Sequence, residues 1–475
     1  MSVNMTQQFQ DQGGPASMSP TPLLRWLQSK VMTHLMRPKQ LQKQRNDVEH
    51  RRIKDKQPHV VEYFHQIDDG YSHLAVQLLK PLAARYAIDL RCHLVTGPTG
   101  NNSVEPELLL QLSRTDAAQI APFYGLNFPS QAASAPHAEL VQLASSILAA
   151  QDTQQWPECA AEVSLSLWAN DETRLQALAQ SHGCASASQL SACIASGNAR
   201  RDQLKHYSGA MFYYGKEWYW GVDRLYHLEK RLAQLGVCQE ASNGSHSHTE
   251  QLLAPRPLLN LGTLKDNGSL TLEIYPSLRS PYTAISFDRA VKLAEDTGVK
   301  LVVRPVLPMV MRGVPATRQK GMYIFSDTAR EAREAHVPYG DFYDPIGEPV
   351  RRCYSLYPWA CEQGKGNELL SSFLRAAFVE GINTNNDKGL KKVVTHAGLD
   401  WSLAKEHLGQ PDWQTLVENN RLAMYNAGLW GVPSLRLLDE NGHQVLALWG
   451  QDRLWLFAFE IQRLLAARKE NTQST

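Results

Sequence analysis

Cysteine is sparse in this chain, and none of the seven stands in a C-x-x-C pair. Cys92, Cys159, Cys184, Cys193, Cys238, Cys353 and Cys361 form an odd set without paired metal-ligand spacing, so no metal site is expected and the thiols read as reduced and mostly structural. Cys353 and Cys361 lie eight positions apart, which is not a specific disulfide spacing in a reducing compartment. Charge of one sign is lacking too: 48 Lys plus Arg meet 47 Asp plus Glu, a net +1. No long basic stripe is interleaved with aromatics, so nucleic acid is not an expected partner. No apolar run nears the roughly 18 residues of a membrane span, and the start, MSVNMTQQFQDQGGPASMSP, lacks the charged-then-apolar build of a signal peptide. A soluble, cytoplasmic protein with no membrane partner is the expectation.

What is present is enough chain for more than one core: 475 residues predict two or three domains. Residues 1–56 read as an N-terminal arm, with a short apolar segment from Leu23 to Met36 and a charged run, 43-KQRNDVEHRRIKDK-56, expected as a solvated helix. Residues 238–266 are a linker by composition. Its His246 and His248 have no third ligand near them in sequence.

The segments flanking that linker repeat one pattern. In 60-VVEYFHQIDDGYSHLAVQLLKPLAARYAIDLRCHLV-95 an apolar strand, a turn, a helical pattern and a second strand follow one another, and 271-TLEIYPSLRSPYTAISFDRAVKLAEDTGVKLVVRPVL-307 repeats that order without a gap. Glu62 falls on Glu273, Asp69 on Ser280, Gly70 on Pro281, Tyr71 on Tyr282 and Ser72 on Thr283. Each copy ends in a predicted strand pair, W-G-x-D-R-L and a helix, at Trp220–Leu225 and Trp449–Leu454. Between these ends, periodicities of three and four predict helical insertions over about 110–205 and 312–425. A parallel strand pair joined by a helix, then an antiparallel hairpin, is the thioredoxin plan. The expected fold class is therefore α/β, as two tandem thioredoxin-like domains over 57–237 and 267–470, each with an inserted α-helical subdomain.

With S-P-Y-T at Ser280–Thr283, G-V-P-S at Gly431–Ser434 and W-G-Q-D-R-L at Trp449–Leu454, the second half resembles the DsbA-like superfamily, and within it the 2-hydroxychromene-2-carboxylate isomerases and kappa-class glutathione transferases. The first half is similar only in architecture. The resemblance implies glutathione as cofactor, with its thiolate at Ser280 as the catalytic position. It implies a cis Val432–Pro433 bond whose backbone pairs with the cysteinyl unit of glutathione, and Gln451 and Asp452 at the γ-glutamyl end. The segment 304-RPVLPMVMRG-313 with Lys320, Tyr323, Asp327 and Arg330 also resembles the isomerase branch. Those four lie on one expected helix, either lining the substrate side or forming a solvated face with local ion pairs.

From the residues alone, Ser280 is equally an N-cap and Pro281 a first helical residue. A serine donating to a bound sulfur would favour the thiolate. Disulfide exchange needs an attacking and a resolving sulfur, and serine and threonine stand in their places, which disfavours a thiol-disulfide oxidoreductase. The first copy, with Asp69-Gly70 for Ser-Pro and Ala210 at the proline position, reads as degenerate and as packing against the second. The expected activity is a glutathione-dependent isomerase or transferase acting on a small electrophile; the alternative is a non-catalytic thioredoxin-fold binding or scaffold protein.

Overall fold

The computed structural model describes residues 20–102, 105–129, 135–152, 155–239, 252–313 and 316–473. The opening segment and most of the polar linker, with His246 and His248, lie outside the described residues. The chain divides into two compact units, one of residues 43–258 and one of residues 259–475 together with 1–42.

The arm expected over 1–56 contains two helices, α1 (Pro22–Leu35) and α2 (Pro38–Lys54). No residue of α2 is buried, and its Arg45 pairs with Glu217 at 2.8 Å.

In the unit of residues 43–258, β1 (His59–His65), α3 (Gly70–Val76), α4 (Leu79–Arg85) and β2 (Ile88–Leu94) come first. The helices α5 (Pro106–Ile120), α6 (Ala138–Ala149), α7 (Trp156–Trp168), α8 (Glu172–His182) and α9 (Ala187–Gln203) follow. The unit closes with β3 (Met211–Tyr214), β4 (Glu217–Trp220) and α10 (Gly221–Gln234). The sheet order is β2-β1-β3-β4, parallel between β1 and β2 and antiparallel elsewhere.

The other unit has β5 (Thr271–Tyr275), α11 (Pro281–Thr297) and β6 (Lys300–Val303). Next come α12 (Arg318–Glu334), α13 (Glu348–Glu362), α14 (Gly366–Phe378), α15 (Asp387–His396), α16 (Trp401–Ala404) and α17 (Asp412–Asn426). β7 (Ser434–Leu438), β8 (Gln444–Trp449) and α18 (Leu454–Gln473) complete it. Its sheet order, β6-β5-β7-β8, and its strand directions match those of the first unit. Leu272, Ile274, Leu435, Leu437 and Leu448 are fully buried in this sheet, and α18 and the insertion helices α12 and α14 pack on α11. α11 stops at Gly298, whose φ of 74° and close approach to the Asp266 carbonyl leave no room for a Cβ.

Four local hydrogen bonds recur at equivalent positions of the two units. Asp69 accepts from the Ser72 N–H and Ser280 from the Thr283 N–H, each capping its helix. The Gln66 N–H donates to Ser72 Oγ (3.2 Å) and the Ser277 N–H to Thr283 Oγ1 (3.3 Å). The Val95 N–H reaches the His65 carbonyl and the Val306 N–H the Pro276 carbonyl, both at 2.9 Å. Tyr71 donates to Asp116 (2.7 Å) and Tyr282 to Asp327 (2.8 Å), the partners standing 45 residues apart in each. Each central strand also buries a glutamate against an arginine, Glu62 on Arg200 (2.6 Å) and Glu273 on Arg304 (2.7 Å).

Burial favours the neutral ring at three histidines of the first unit. Burial pushes His65 and His206 down to about 3 and His73 to about 4. His73 is held at both nitrogens, by Ser164 Oγ at 2.8 Å and the Asn127 carbonyl at 3.0 Å. Two carboxyls oppose them: burial pushes Asp69 up to about 6 and raises Glu229. As pH falls below about 6.5 the unfolded chain takes up protons on three imidazoles that the folded unit refuses, and the two carboxyls offset at most two of them. The expected net loss is on the order of 1.4 kcal/mol per pH unit between about 6 and 4. Hydrogen exchange, corrected for intrinsic rates, should show protection of the unit of residues 43–258 falling between pH 7 and pH 5; unchanged protection would contradict this.

Candidate functional site

The antiparallel register of β5 and β7 sets Tyr275 opposite Ser434. The chain leaving β5 through Pro276–Arg279 toward α11 therefore passes the residues that lead into β7. Ser280 Oγ lies 3.5 Å from the Val432 carbonyl, at the outer limit of hydrogen bonding. The Val432–Pro433 peptide is cis. The Pro433 carbonyl accepts from the Gly450 N–H (2.9 Å), and Ser434 Oγ donates to the Gly431 carbonyl (2.6 Å). Ser280, Val432 and Asp452 are half-buried, whereas Pro281, Pro433 and Gln451 are buried.

Ser280 caps α11 by accepting the Thr283 N–H at 3.2 Å, and Pro281 is the first helical residue. The Ser280 hydroxyl proton is directed to the Val432 carbonyl at the long distance of 3.5 Å, at the positive end of a 17-residue helix. The turn before it is pinned from the insertion: Tyr354 on α13 accepts the Leu278 N–H (3.3 Å) and donates to the Val306 carbonyl (3.0 Å). Arg279 pairs with Asp344 through two contacts, at 2.9 and 3.0 Å. Burial alone would raise the Asp344 carboxyl, but Arg279 and the Ile346 N–H hold it below its ordinary value.

The four residues on α12 are all buried, which excludes the solvated face. Asp327 accepts from Tyr282 and, at 2.5 Å, from Arg330. Because Tyr71 and Asp116 make the same bond in a unit without the Ser-Pro turn, the tyrosine–aspartate bond is a brace between helices. Arg330 reinforces it. Lys320 is brought to the site loop itself: its ammonium lies 5.2 Å from the centroid of Trp430, the residue before Gly431. Burial pushes its amine down to about 8. Tyr323 is buried one turn further along α12.

At the far end of the site, Gln451 donates to Glu331 Oε2 on α12 (3.0 Å) and to the Asp452 carboxylate, and accepts from Arg289 of α11 (3.3 Å). Its amide is thus used within the protein, joining the 3-10 turn Gln451–Arg453 to two helices. Asp452 is the half-buried member of that pair. Sequence reasoning missed the Arg279–Asp344 pair, Glu331 and the Trp430–Trp449 contact (ring centroids 5.0 Å apart). Among the described residues, no group of three His, Cys, Asp or Glu could hold a metal, and no helix is long and apolar enough to cross a membrane. All seven cysteines are free.

The first unit keeps Asp223 at the position of Asp452 but differs at two decisive points. Asp69 places a buried carboxyl where Ser280 stands. Ala210, whose carbonyl accepts the Gly221 N–H (2.7 Å) as Pro433 accepts Gly450, takes a left-handed φ of 54°.

A parallel strand pair, an antiparallel hairpin, a helical insertion and a cis proline facing a helix N-terminus define a thioredoxin-like domain with an inserted helical subdomain. The C-terminal half of the chain is a DSBA-like thioredoxin domain, the family model of that description matching residues 271–462. The chain is similar to a solved 2-hydroxychromene-2-carboxylate isomerase (20% identity, covering 43% of this chain and 99% of that one, TM-score 0.35). It is also similar to the cytosolic disulfide reductase DsbM from Pseudomonas aeruginosa (18% identity, 41% and 99% covered, TM-score 0.33). A third similar structure is a putative protein disulfide isomerase from Nitrosomonas europaea (14% identity, 41% and 98% covered, TM-score 0.33). No curated protein matches the chain.

The depressed Lys320 amine gives a stability signature. Between about 8 and the ordinary 10.5 the unfolded chain binds a proton that the folded chain has released, so stability rises with pH across that window. Relative to Lys320→Met, the natural chain should gain up to roughly 1.4 kcal/mol per pH unit there in denaturant melts. Parallel pH profiles for the two proteins would refute the burial argument.

Proposed function

We propose that the C-terminal domain is a glutathione-dependent isomerase or transferase acting on a small electrophile. The observation that carries this reading is the half-buried Ser280 hydroxyl at the positive end of α11, 3.5 Å from the Val432 carbonyl beside the cis proline. A thiol placed there would meet a donor that favours its thiolate, reinforced by the helix dipole. The edge at Val432 suits pairing with an extended peptide backbone, and the Asp452 carboxylate suits an α-amino group. Bound glutathione would supply the nucleophile, adding to an electrophilic carbon and, in an isomerisation, leaving again once the bond has rotated. Ser280 holds the sulfur as thiolate, and Lys320 offers a cation beside Trp430 for an anionic group on the substrate. The same turn presents Ser280 and Thr283 where disulfide exchange requires two sulfurs, so a thiol-disulfide oxidoreductase is the weaker reading.

A scaffold reading has one observation in its favour. The capping bond of Ser280 is repeated by Asp69 in the first unit, which we infer to be a degenerate copy, so the cap needs no ligand to explain it. Ser280→Ala separates the two. Loss of the cap costs about 1 kcal/mol of stability under either reading. Only the enzyme reading also expects a loss of roughly tenfold or more in glutathione thiolate formation, read as the pH dependence of thiolate absorbance in the complex. Calorimetric titration of glutathione that gives no heat, with no protection against thermal unfolding, would overturn the proposal.

A further inference from the structure

Helix α1 is turned inside out. Arg25, Ser29 and Thr33, four apart and so on one face, are 1, 2 and 4% exposed. Leu23, Leu27, Val31 and Leu35 form another stripe and are 74, 51, 48 and 45% exposed, with Leu24 and Trp26 beside them at 45 and 48%. The polar face is buried because it satisfies backbone groups of the loop before α13. Arg25 Nη1 donates to the Asp344 carbonyl at 2.5 Å. Ser29 Oγ accepts the Asp344 N–H (3.0 Å) while donating to the Arg25 carbonyl (2.7 Å), and Thr33 Oγ1 accepts the Phe342 N–H (2.9 Å). Attachment to its own unit therefore leaves the apolar stripe outside.

Charge chooses the occupant of that stripe. From Pro20 to Asn46 there is no Asp or Glu, whereas Lys30, His34, Arg37 and Lys39 are exposed in and just after α1. A Leu/Val stripe with a tryptophan and a basic border is the composition of a helix lying in the plane of a lipid interface, its cations against anionic headgroups. A second copy of the chain fits worse. Neither copy has an acidic residue between Pro20 and Asn46 to meet the other's cations, and one 14-residue helix offers far less than the roughly 800 Å² per partner of a stable interface.

We propose that α1 docks this protein on anionic membrane surfaces without crossing them, a departure from the expectation that no membrane is involved. The test is co-sedimentation of the full chain with phosphatidylcholine vesicles containing about a third phosphatidylserine. Binding is expected at low salt, weakening as salt rises. Leu27→Glu with Val31→Glu should reduce it by roughly tenfold or more, without changing the melting temperature, since both side chains face solvent. Lys30→Glu with Lys39→Glu, which leaves the apolar stripe intact, should also weaken it. The proposal is overturned by absence of vesicle binding, by equal binding to phosphatidylcholine alone, or by undiminished binding of the Leu27/Val31 variant. It is equally overturned by a dimer in sedimentation velocity that the same variant dissolves while vesicles go unbound.

Discussion

The pairing of β5 with β7 is the constraint on which the site rests. Tyr275 opposite Ser434 obliges the turn leaving β5 and the peptide entering β7 to meet. A slip of one residue would turn every side chain of β7 to the other face, taking Leu435 and Leu437 out of the core and the Val432 carbonyl away from Ser280. The register is secured by burial of leucines on one face and by Glu273 with Arg304 and Arg436 on the other. Packing that has nothing to do with chemistry thus fixes the distance between a hydroxyl and a backbone edge.

The two units test which features belong to the fold and which to a site. The capped helix, the turn bonds and the tyrosine–aspartate brace appear in both, including the unit that has Asp69 and Ala210 at the decisive positions. They are the fold's own requirements. The hydroxyl at Ser280, the cis peptide at Val432–Pro433 and the buried lysine beside Trp430 appear in the C-terminal unit alone among the compared positions. These are the differences between the units, and they set Lys320 apart from Asp327 and Arg330, whose bond belongs to the brace.

Much of this was legible because strand alternation, capping residues and the doubled W-G-x-D-R-L are local patterns. The alignment that sets Asp69 on Ser280 also sets Asp116 on Asp327, so the brace was legible beyond the second strand. Arg279 and Asp344, 65 residues apart with no pattern linking them, were not. The inversion of α1 was hidden for a different reason. Apolar periodicity places the leucine stripe inward, but loop backbone groups at Phe342 and Asp344 demanded partners, and Ser29, Thr33 and Arg25 met that demand. A buried backbone donor without a partner costs more than an exposed leucine. The resemblance sets Gln451 with Asp452 at the γ-glutamyl end of glutathione, and no sequence pattern showed that its buried amide also joins Glu331 and Arg289.

The central claim is that a borrowed sulfur sits against Ser280. A crystal structure of the chain soaked with glutathione tests it most directly. The account predicts the sulfur within hydrogen-bond reach of Ser280 Oγ with the cysteinyl backbone beside Val432. Glutathione bound elsewhere, or its absence from the site at saturating concentration, would contradict it.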